Sequence, residues 1–304
     1  MKAWLPYPPE RIGQLPGGID IDVYDGLGEP PDSIGDVEFY VLPYTWNWDE
    51  TVPLVARMPK LRVLQLLTAG YDHVLAYLRD SCLRDGVTLC NAQGVHDAST
   101  AELAVALTLA SLRGIPRFAR AHLTGEWTFD FYDALADRTV LIVGYGGVGK
   151  AIERRLAGFE VDVLRIARTA REGVHSIDEL PDLLPDADVM ILAVPLTDET
   201  RGLVNAGLLR QMKDGALLVN VARGPVVDTT ALLAEAGRVR AALDVTDPEP
   251  LPPDHPLWQA PGVLISPHVG GSSSAFPPRA LRLIAAQLHR YAAGESLENV
   301  VRVT

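Results

Sequence analysis

Three side chains in the last third of the chain could together move a proton and hold an anion: Arg223, Glu249 and His268. An imidazole titrates near neutral pH, so His268 can give or take a proton. A carboxylate beside it, as Glu249 would be, favours the charged imidazolium. The Arg223 guanidinium offers a fork of donors that matches a carboxylate and polarises a neighbouring carbonyl. Upstream, Gly144-x-Gly146-x-x-Gly149 follows four apolar β-formers and precedes a helical stretch from Ala151. A buried strand, a glycine turn and a helix N-terminus in that order make an anion cradle, with Tyr145, Gly147 and Val148 completing the turn. Gly144 permits the turn, Gly146 lets the backbone approach a pyrophosphate, and Gly149 lets the helix pack close to the strand.

These groups need a frame that brings them together. Residues 161–168 read as the second strand of a mononucleotide unit, where an acidic residue about 20 positions past the glycines usually holds the ribose 2′-OH. Ala167 stands in that place, with Arg168 next and Arg171 nearby. Loss of the carboxylate removes a repulsion, and a guanidinium pairs with a 2′-phosphate, so the pattern favours NADP(H), with NAD(H) as the other choice. Further apolar strands are expected at 188–195, ending in Val194 and Pro195, at 216–224, containing Ala222, and at 241–245 and 263–268. Strands alternating with helices around a dinucleotide fingerprint make a doubly wound parallel sheet with ligands beyond the strand ends. That rule gathers Arg223, Asp244, Glu249 and His268 at one crevice.

The first ninety-odd residues suggest a smaller parallel sheet, with strands at 19–24, 37–42, 61–67 and 87–91. The third ends at Thr68-Ala69-Gly70-Tyr71-Asp72. Tyr44, Trp46 and Trp48 cluster before it without an assigned role. From Ser99 the character changes: Ser99 and Glu102 are spaced as a capping box ahead of a helix apolar nearly all round from Leu103. Such a helix belongs inside a protein or an interface, which suggests a homodimer. The domains expected are 1–95 with 274–304, and 96–273. Residues 114–137 read as a polar and aromatic connection, and 279–292 as an amphipathic helix with Pro277 and Pro278 in its first turn and Gly294 at its end. His96, Asp97 and His255 carry no assignment.

Composition narrows the classes. A net charge of −12 over 304 residues disfavours nucleic acid and anionic membranes as partners. Cys82 and Cys90 are too few for a disulfide framework, and no metal constellation is visible. The N-terminus lacks a signal-peptide pattern and no apolar run reaches a membrane span, so a cytoplasmic location is expected.

In these motifs the chain resembles the D-isomer-specific 2-hydroxyacid dehydrogenases. The resemblance rests on the glycine turn, Pro195-Leu196-Thr197-Asp198-Glu199-Thr200-Arg201-Gly202, Asn220-Val221-Ala222-Arg223-Gly224, Asp244-Val245-Thr246-Asp247-Pro248-Glu249-Pro250 and Ser266-Pro267-His268. It implies an α/β fold of two Rossmann-like domains, the smaller flavodoxin-like and binding substrate. It also implies hydride transfer between a nicotinamide cofactor and a small 2-oxo or 2-hydroxy acid of the glyoxylate or hydroxypyruvate type. The family's catalytic arginine, acid and histidine fall on Arg223, Glu249 and His268. Its substrate-carboxylate contacts fall on the backbone of Ala69 and Gly70 and on Arg223, and Asp244 would face the nicotinamide carboxamide. The departure is Ala167, which puts a plain NAD preference in doubt. Phosphoglycerate dehydrogenase-type activity and a dinucleotide-sensing binding protein are the alternatives. Closure of the two domains on substrate, about crossings near 94–99 and 270–274, is expected to exclude water.

Overall fold

The computed structural model describes residues 1–45, 47–79 and 86–301; Trp46 and Cys82 lie outside the described residues. The chain divides into two compact units, Met1–His96 with Ser274–Thr304, and Asp97–Ser273.

The first unit is built on five parallel strands: β1 (Lys2–Leu5), β2 (Asp20–Val23), β3 (Val37–Val41), β4 (Val63–Gln65) and β5 (Thr88–Cys90), in the order β2-β1-β3-β4-β5. This is the flavodoxin-like order of a doubly wound sheet. Strand β1 went unread in the sequence; Ala3, Trp4 and Leu5 are all buried, so it shows no alternation. It is nonetheless wedged between β2 and β3, with Ala3 and Leu5 in the core on one face and Trp4 in the core on the other. Helix Phe276–Ala293 covers the Ala3 face through Phe276, Ala280, Leu283, Ile284 and Leu288. It starts three residues earlier than expected. Pro277 and Pro278 sit in its first turn, and Gly294 closes it at φ 68°.

The second unit carries β6 (Thr139–Val143), β7 (Asp162–Ala167), β8 (His175–Ser176), β9 (Val189–Leu192), β10 (Leu217–Asn220), β11 (Arg240–Leu243) and β12 (Val263–Ile265). They run parallel in the order β12-β11-β10-β9-β6-β7-β8. The chain reverses its direction of winding between β6 and β9, and that switch point is where a dinucleotide binds in such sheets. Both faces are covered, so the strands read as continuous apolar runs. Leu141 and Val143 face one core and Val140 and Ile142 the other.

Two sequence expectations change here. The helix expected to start behind Ser99 runs over Asp97–Leu112, so Ser99 lies inside it, buried, and the capping box with Glu102 does not form. Ala101, Ala104, Val105, Leu107 and Leu112 pack with Val140, Ile142 and Ile152 in the core of the helix's own unit. Finally, the supposed connection at 114–137 contains helix Ile115–Thr124, bounded by Gly114 and Gly125 in left-handed conformation with Pro116 in its first turn. Proline in the first turn and glycine just past the end are the boundary marks of such a helix. Among the described residues, no helix is long and apolar enough to cross a membrane.

Candidate active site

The glycine turn leaves the end of β6 under tight steric control. Gly144 has φ +105°, and a Cβ there would stand 2.5 Å from the Ala193 carbonyl carbon and oxygen. Its N–H and that of Tyr145 both donate to the Ile166 carbonyl, each at 2.9 Å, which ties the turn to β7. A Cβ at Gly149 would strike the Gly144 carbonyl, and one at Gly147 would strike the Asp97 carboxylate. Gly146 differs: nothing lies within 4 Å of where its Cβ would be, and it caps helix Gly147–Leu156. The open space therefore lies at the helix N-terminus, where backbone N–H groups and the helix dipole favour an anion. These residues fit a dinucleotide pyrophosphate. The role of Gly147 was not legible, because its obstacle, Asp97, comes from a distant part of the chain.

The far side of the turn is basic. Tyr145 donates its hydroxyl to Glu153, which also accepts from Arg165 Nε at 2.9 Å. The Arg165 guanidinium holds the Glu153 carboxyl below its ordinary range. Arg171 donates to the Tyr145 carbonyl at 2.8 Å, and the Arg165 and Arg171 guanidinium carbons lie 5.9 and 5.8 Å from the Tyr145 ring centre. Ala167 ends β7, and Arg168 follows it, exposed. The Glu199 carboxyl is held below its ordinary range first by the Thr197 hydroxyl, then by its own backbone N–H, with Arg168 contributing. Val194 and Pro195 lie just past β9, where the Pro195 carbonyl accepts the Thr200 hydroxyl at 2.6 Å.

The chemistry-bearing residues stand just beyond the ends of three neighbouring strands. Past β10, the buried Asn220 side chain accepts from Ala222 N–H and donates to the Arg223 carbonyl, both at 3.0 Å. Gly224 touches the Thr246 carbonyl so closely that no Cβ fits. Past β11, Asp244 is 3% exposed, and both its carboxylate oxygens are engaged. One accepts Ser266 Oγ at 2.6 Å and Val269 N–H at 2.9 Å; the other accepts Gly270 N–H at 2.8 Å. Its carbonyl accepts His268 N–H at 2.7 Å. Past β12, His268 sits at φ +50°, a left-handed conformation costly for a residue with a Cβ and held here by this turn. Its Nδ1 hydrogen-bonds Glu249 Oε1, and the two side chains are 31% and 27% exposed. Arg223, Asp244, Glu249 and His268 thus share one edge of the second unit. Asn220 and Ser266 are supports that sequence reasoning passed over, although both lie inside the motifs quoted above.

In the first unit, the loop after β4 has its carbonyls claimed. Asn91 Nδ2 donates to the Ala69 carbonyl and Ala92 N–H to the Thr68 carbonyl, both at 2.8 Å. His96 Nε2 meets the Leu67 carbonyl at 2.7 Å, and its ring stacks on those of Tyr44 and Phe276, which also touch each other. Among the described residues neither Ala69 N–H nor Gly70 N–H has an acceptor. Adjacent unclaimed backbone donors form a concavity suited to an anion. His255 has a local duty, accepting from Leu257 N–H at the start of a short 3-10 turn.

Residues 105–270 match the family model for the D-isomer specific 2-hydroxyacid dehydrogenase NAD binding domain. The chain is similar to a glyoxylate reductase of Thermofilum pendens, 35% identical over 95% of this chain and 90% of that protein. It is also similar to a D-3-phosphoglycerate dehydrogenase of Archaeoglobus fulgidus, 36% identical over 94% of this chain but 56% of that protein. Among solved structures, it resembles the NADPH-dependent glyoxylate/hydroxypyruvate reductase of Sinorhizobium meliloti in complex with NADP and sulfate. That match has a TM-score of 0.81 and 27% identity, covering 99% of this chain and 97% of the other.

Proposed function

The chain belongs to the D-isomer specific 2-hydroxyacid dehydrogenase family, and we propose that it is an NADP(H)-preferring reductase of a small 2-oxo acid such as glyoxylate or hydroxypyruvate. The observation that carries this reading is the His268–Glu249 pair, held beyond β12 by Asp244 at the same strand edge as Arg223. The glycine turn of Gly144, Gly146 and Gly149 would hold NADPH, which would supply a hydride for the carbonyl carbon. His268 commits Nδ1 to Glu249, and its Nε2 delivers the proton that the nascent alkoxide takes up. The C=O bond becomes CH–OH and the imidazolium becomes neutral imidazole, which balances the step. Arg223 stabilises the charge developing on the oxygen and orients the substrate. The substrate carboxylate falls to the Ala69 and Gly70 N–H groups of the first unit.

The NADP preference rests on Ala167, which removes the expected carboxylate, and on exposed Arg168 next to it. Arg171 supports it indirectly by bracing the glycine turn at Tyr145. The assembly we propose is a homodimer. The Archaeoglobus fulgidus relative favours phosphoglycerate oxidation as the second reading, although this chain spans only 56% of that protein.

The test follows absorbance of the reduced nicotinamide with NADPH and NADH separately, offering glyoxylate, hydroxypyruvate, pyruvate and phenylpyruvate, with 3-phosphoglycerate and each oxidised cofactor in the reverse direction. Turnover of glyoxylate or hydroxypyruvate, faster with NADPH, is expected. Turnover of phosphoglycerate alone would replace the substrate, and faster NADH turnover would discard the Arg168 argument. Cofactor binding with no turnover of any acid would turn the reading toward a dinucleotide sensor.

A further inference from the structure

The dinucleotide fingerprint asks for glycine at 144, 146 and 149 and leaves position 147 open to any side chain. Glycine stands there too, and the obstacle is a charge. A Cβ on Gly147 would strike Oδ2 of Asp97 and stand 3.0 Å from Oδ1. Both oxygens of one carboxylate thus lie against the first residue of helix Gly147–Leu156. Packing brings the carboxylate there. Asp97 is itself the first residue of helix Asp97–Leu112. The two helices share a core through Ala101, Ala104 and Val105 on one and Ala151 and Ile152 on the other, and Arg155 pairs with Glu102 at 3.0 Å. Their N-termini therefore lie together, and both helix dipoles are positive at the carboxylate.

We infer that Asp97 is a built-in anion at the seat of the cofactor pyrophosphate, one that weakens dinucleotide binding and hastens release. The N–H groups at the start of helix Gly147–Leu156 are where a pyrophosphate binds in such a turn. A carboxylate already lying against that helix start draws on the same dipole and repels a second anion. The first turn, Gly147-Val148-Gly149-Lys150, has no acid of its own, so the charge is brought in from a separate helix. Gly147 is its complement, since any side chain there would drive the carboxylate off the helix start. Weaker binding has a use: product release limits turnover in many enzymes, and a repelled cofactor leaves sooner. The inference rests on the glycine turn as a dinucleotide site, and on neither the NADPH preference nor the identity of the acid.

Calorimetric titration of the full-length chain with NADPH, NADH, ADP-ribose and adenosine 2′-monophosphate tests it. Asp97→Asn removes the charge at nearly the same volume. It should bind each of the first three compounds about 3–10-fold more tightly at low salt. The gain should shrink as sodium chloride screens the charge. Adenosine 2′-monophosphate, which has no pyrophosphate, should bind parent and variant alike. In stopped-flow displacement NADPH should leave the variant more slowly by a similar factor. Without cofactor the variant should melt no higher than the parent, because Asp97 also stands at the start of its own helix. A residue of purely structural value would instead lose stability and affinity together. Asp97→Ser, whose hydroxyl suits a helix start, carries the same expectations should the first variant misfold. Unchanged or weaker binding of the three pyrophosphates by a folded variant would overturn the inference. So would a gain that persists at high salt or extends to adenosine 2′-monophosphate. A parent that binds none of the three would sink the dinucleotide site itself.

Discussion

Replacing Asp244 by Asn tests whether this buried carboxylate places His268. The carboxylate takes three donors, Ser266 Oγ, Val269 N–H and Gly270 N–H, at 2.6–2.9 Å. Asparagine offers one acceptor oxygen and an NH2. If the NH2 takes the side facing Gly270, two donors confront each other there. If it takes the other side, Ser266 can rotate to accept, but Val269 N–H is left opposite a donor. At 3% exposure no water readily relieves the conflict. Losing charge-assisted bonds and stranding one buried donor should cost about 2–4 kcal/mol. In a domain of this size the melting temperature falls about 2–4 °C for each kcal/mol. The strained His268 at φ +50° then loses its support, and a misplacement near 1 Å costs about 100-fold in rate. Steady-state kinetics with NADPH and glyoxylate should put the loss in kcat. NADPH affinity, measured by fluorescence titration, should change by less than about threefold, or ~0.7 kcal/mol. An unchanged kcat would refute the positioning argument. A loss confined to NADPH affinity would instead assign the carboxylate to the nicotinamide.

The other predictions are shorter. Gly146→Ala should melt at the parent temperature yet bind NADPH at least about tenfold more weakly, because its Cβ enters the open space meant for pyrophosphate. Gly144→Ala should lose both stability and binding, since φ +105° and the Ala193 backbone leave a methyl no place; equal melting of the two variants would contradict this. Arg168→Ala should lower the kcat/KM ratio of NADPH over NADH by about 10–100-fold, the worth of charged hydrogen bonds to a phosphate, and leave NADH turnover unaltered. An unchanged ratio sinks the cofactor preference. Glu153, held below its ordinary 4.5 by Arg165, contributes stability that is complete above that value and lost as pH falls through the lowered folded value. The fall in urea midpoint from near neutrality to about pH 3 should therefore be smaller in Glu153→Gln than in the parent. Parallel acid arms would count against the Glu153–Arg165 pair.

Strongly patterned features were legible in the sequence. The glycine turn sits between an apolar strand and a helix, and the strands of the larger sheet are apolar on both faces because both faces are covered. What escaped was either short or dependent on distant neighbours. Strand β1, Lys2–Leu5, is buried on both faces and shows no alternation, yet β2 and β3 pair with its two sides. Ser99 and Glu102 have cap spacing, but the helix begins at Asp97 and buries Ser99, so tertiary packing overrode the local signal. The Leu103 stretch is apolar because Ala104, Val105 and Leu107 pack in the core of the second unit. Among site residues the reactive groups were named by type and motif. Their supports were not, because Asn220, Ser266 and Gly147 act through geometry rather than through chemistry of their own.

Those supports explain why the reactive groups sit where they do. A residue just past a strand is still held by the sheet, but its neighbours' backbone groups have left the ladder and must find other partners. Asn220 and Asp244 supply them from side chains 1% and 3% exposed. Asn220 spans Ala222 N–H and the Arg223 carbonyl, and its own carbonyl takes Asp244 N–H at 2.9 Å. Asp244 then spans the turn that carries His268. The tips of β10, β11 and β12 are thereby stitched crosswise, with Gly224 against Thr246 as the one backbone contact close enough to exclude any side chain. Hydrogen bonds buried this deeply are stronger and more directional than exposed ones. The His268 imidazole can therefore stay 31% exposed while its placement is decided in the interior. Preorganisation of this kind lowers the barrier by sparing rearrangement during the reaction. Substitutions at the two supports should accordingly lower kcat more than they raise KM.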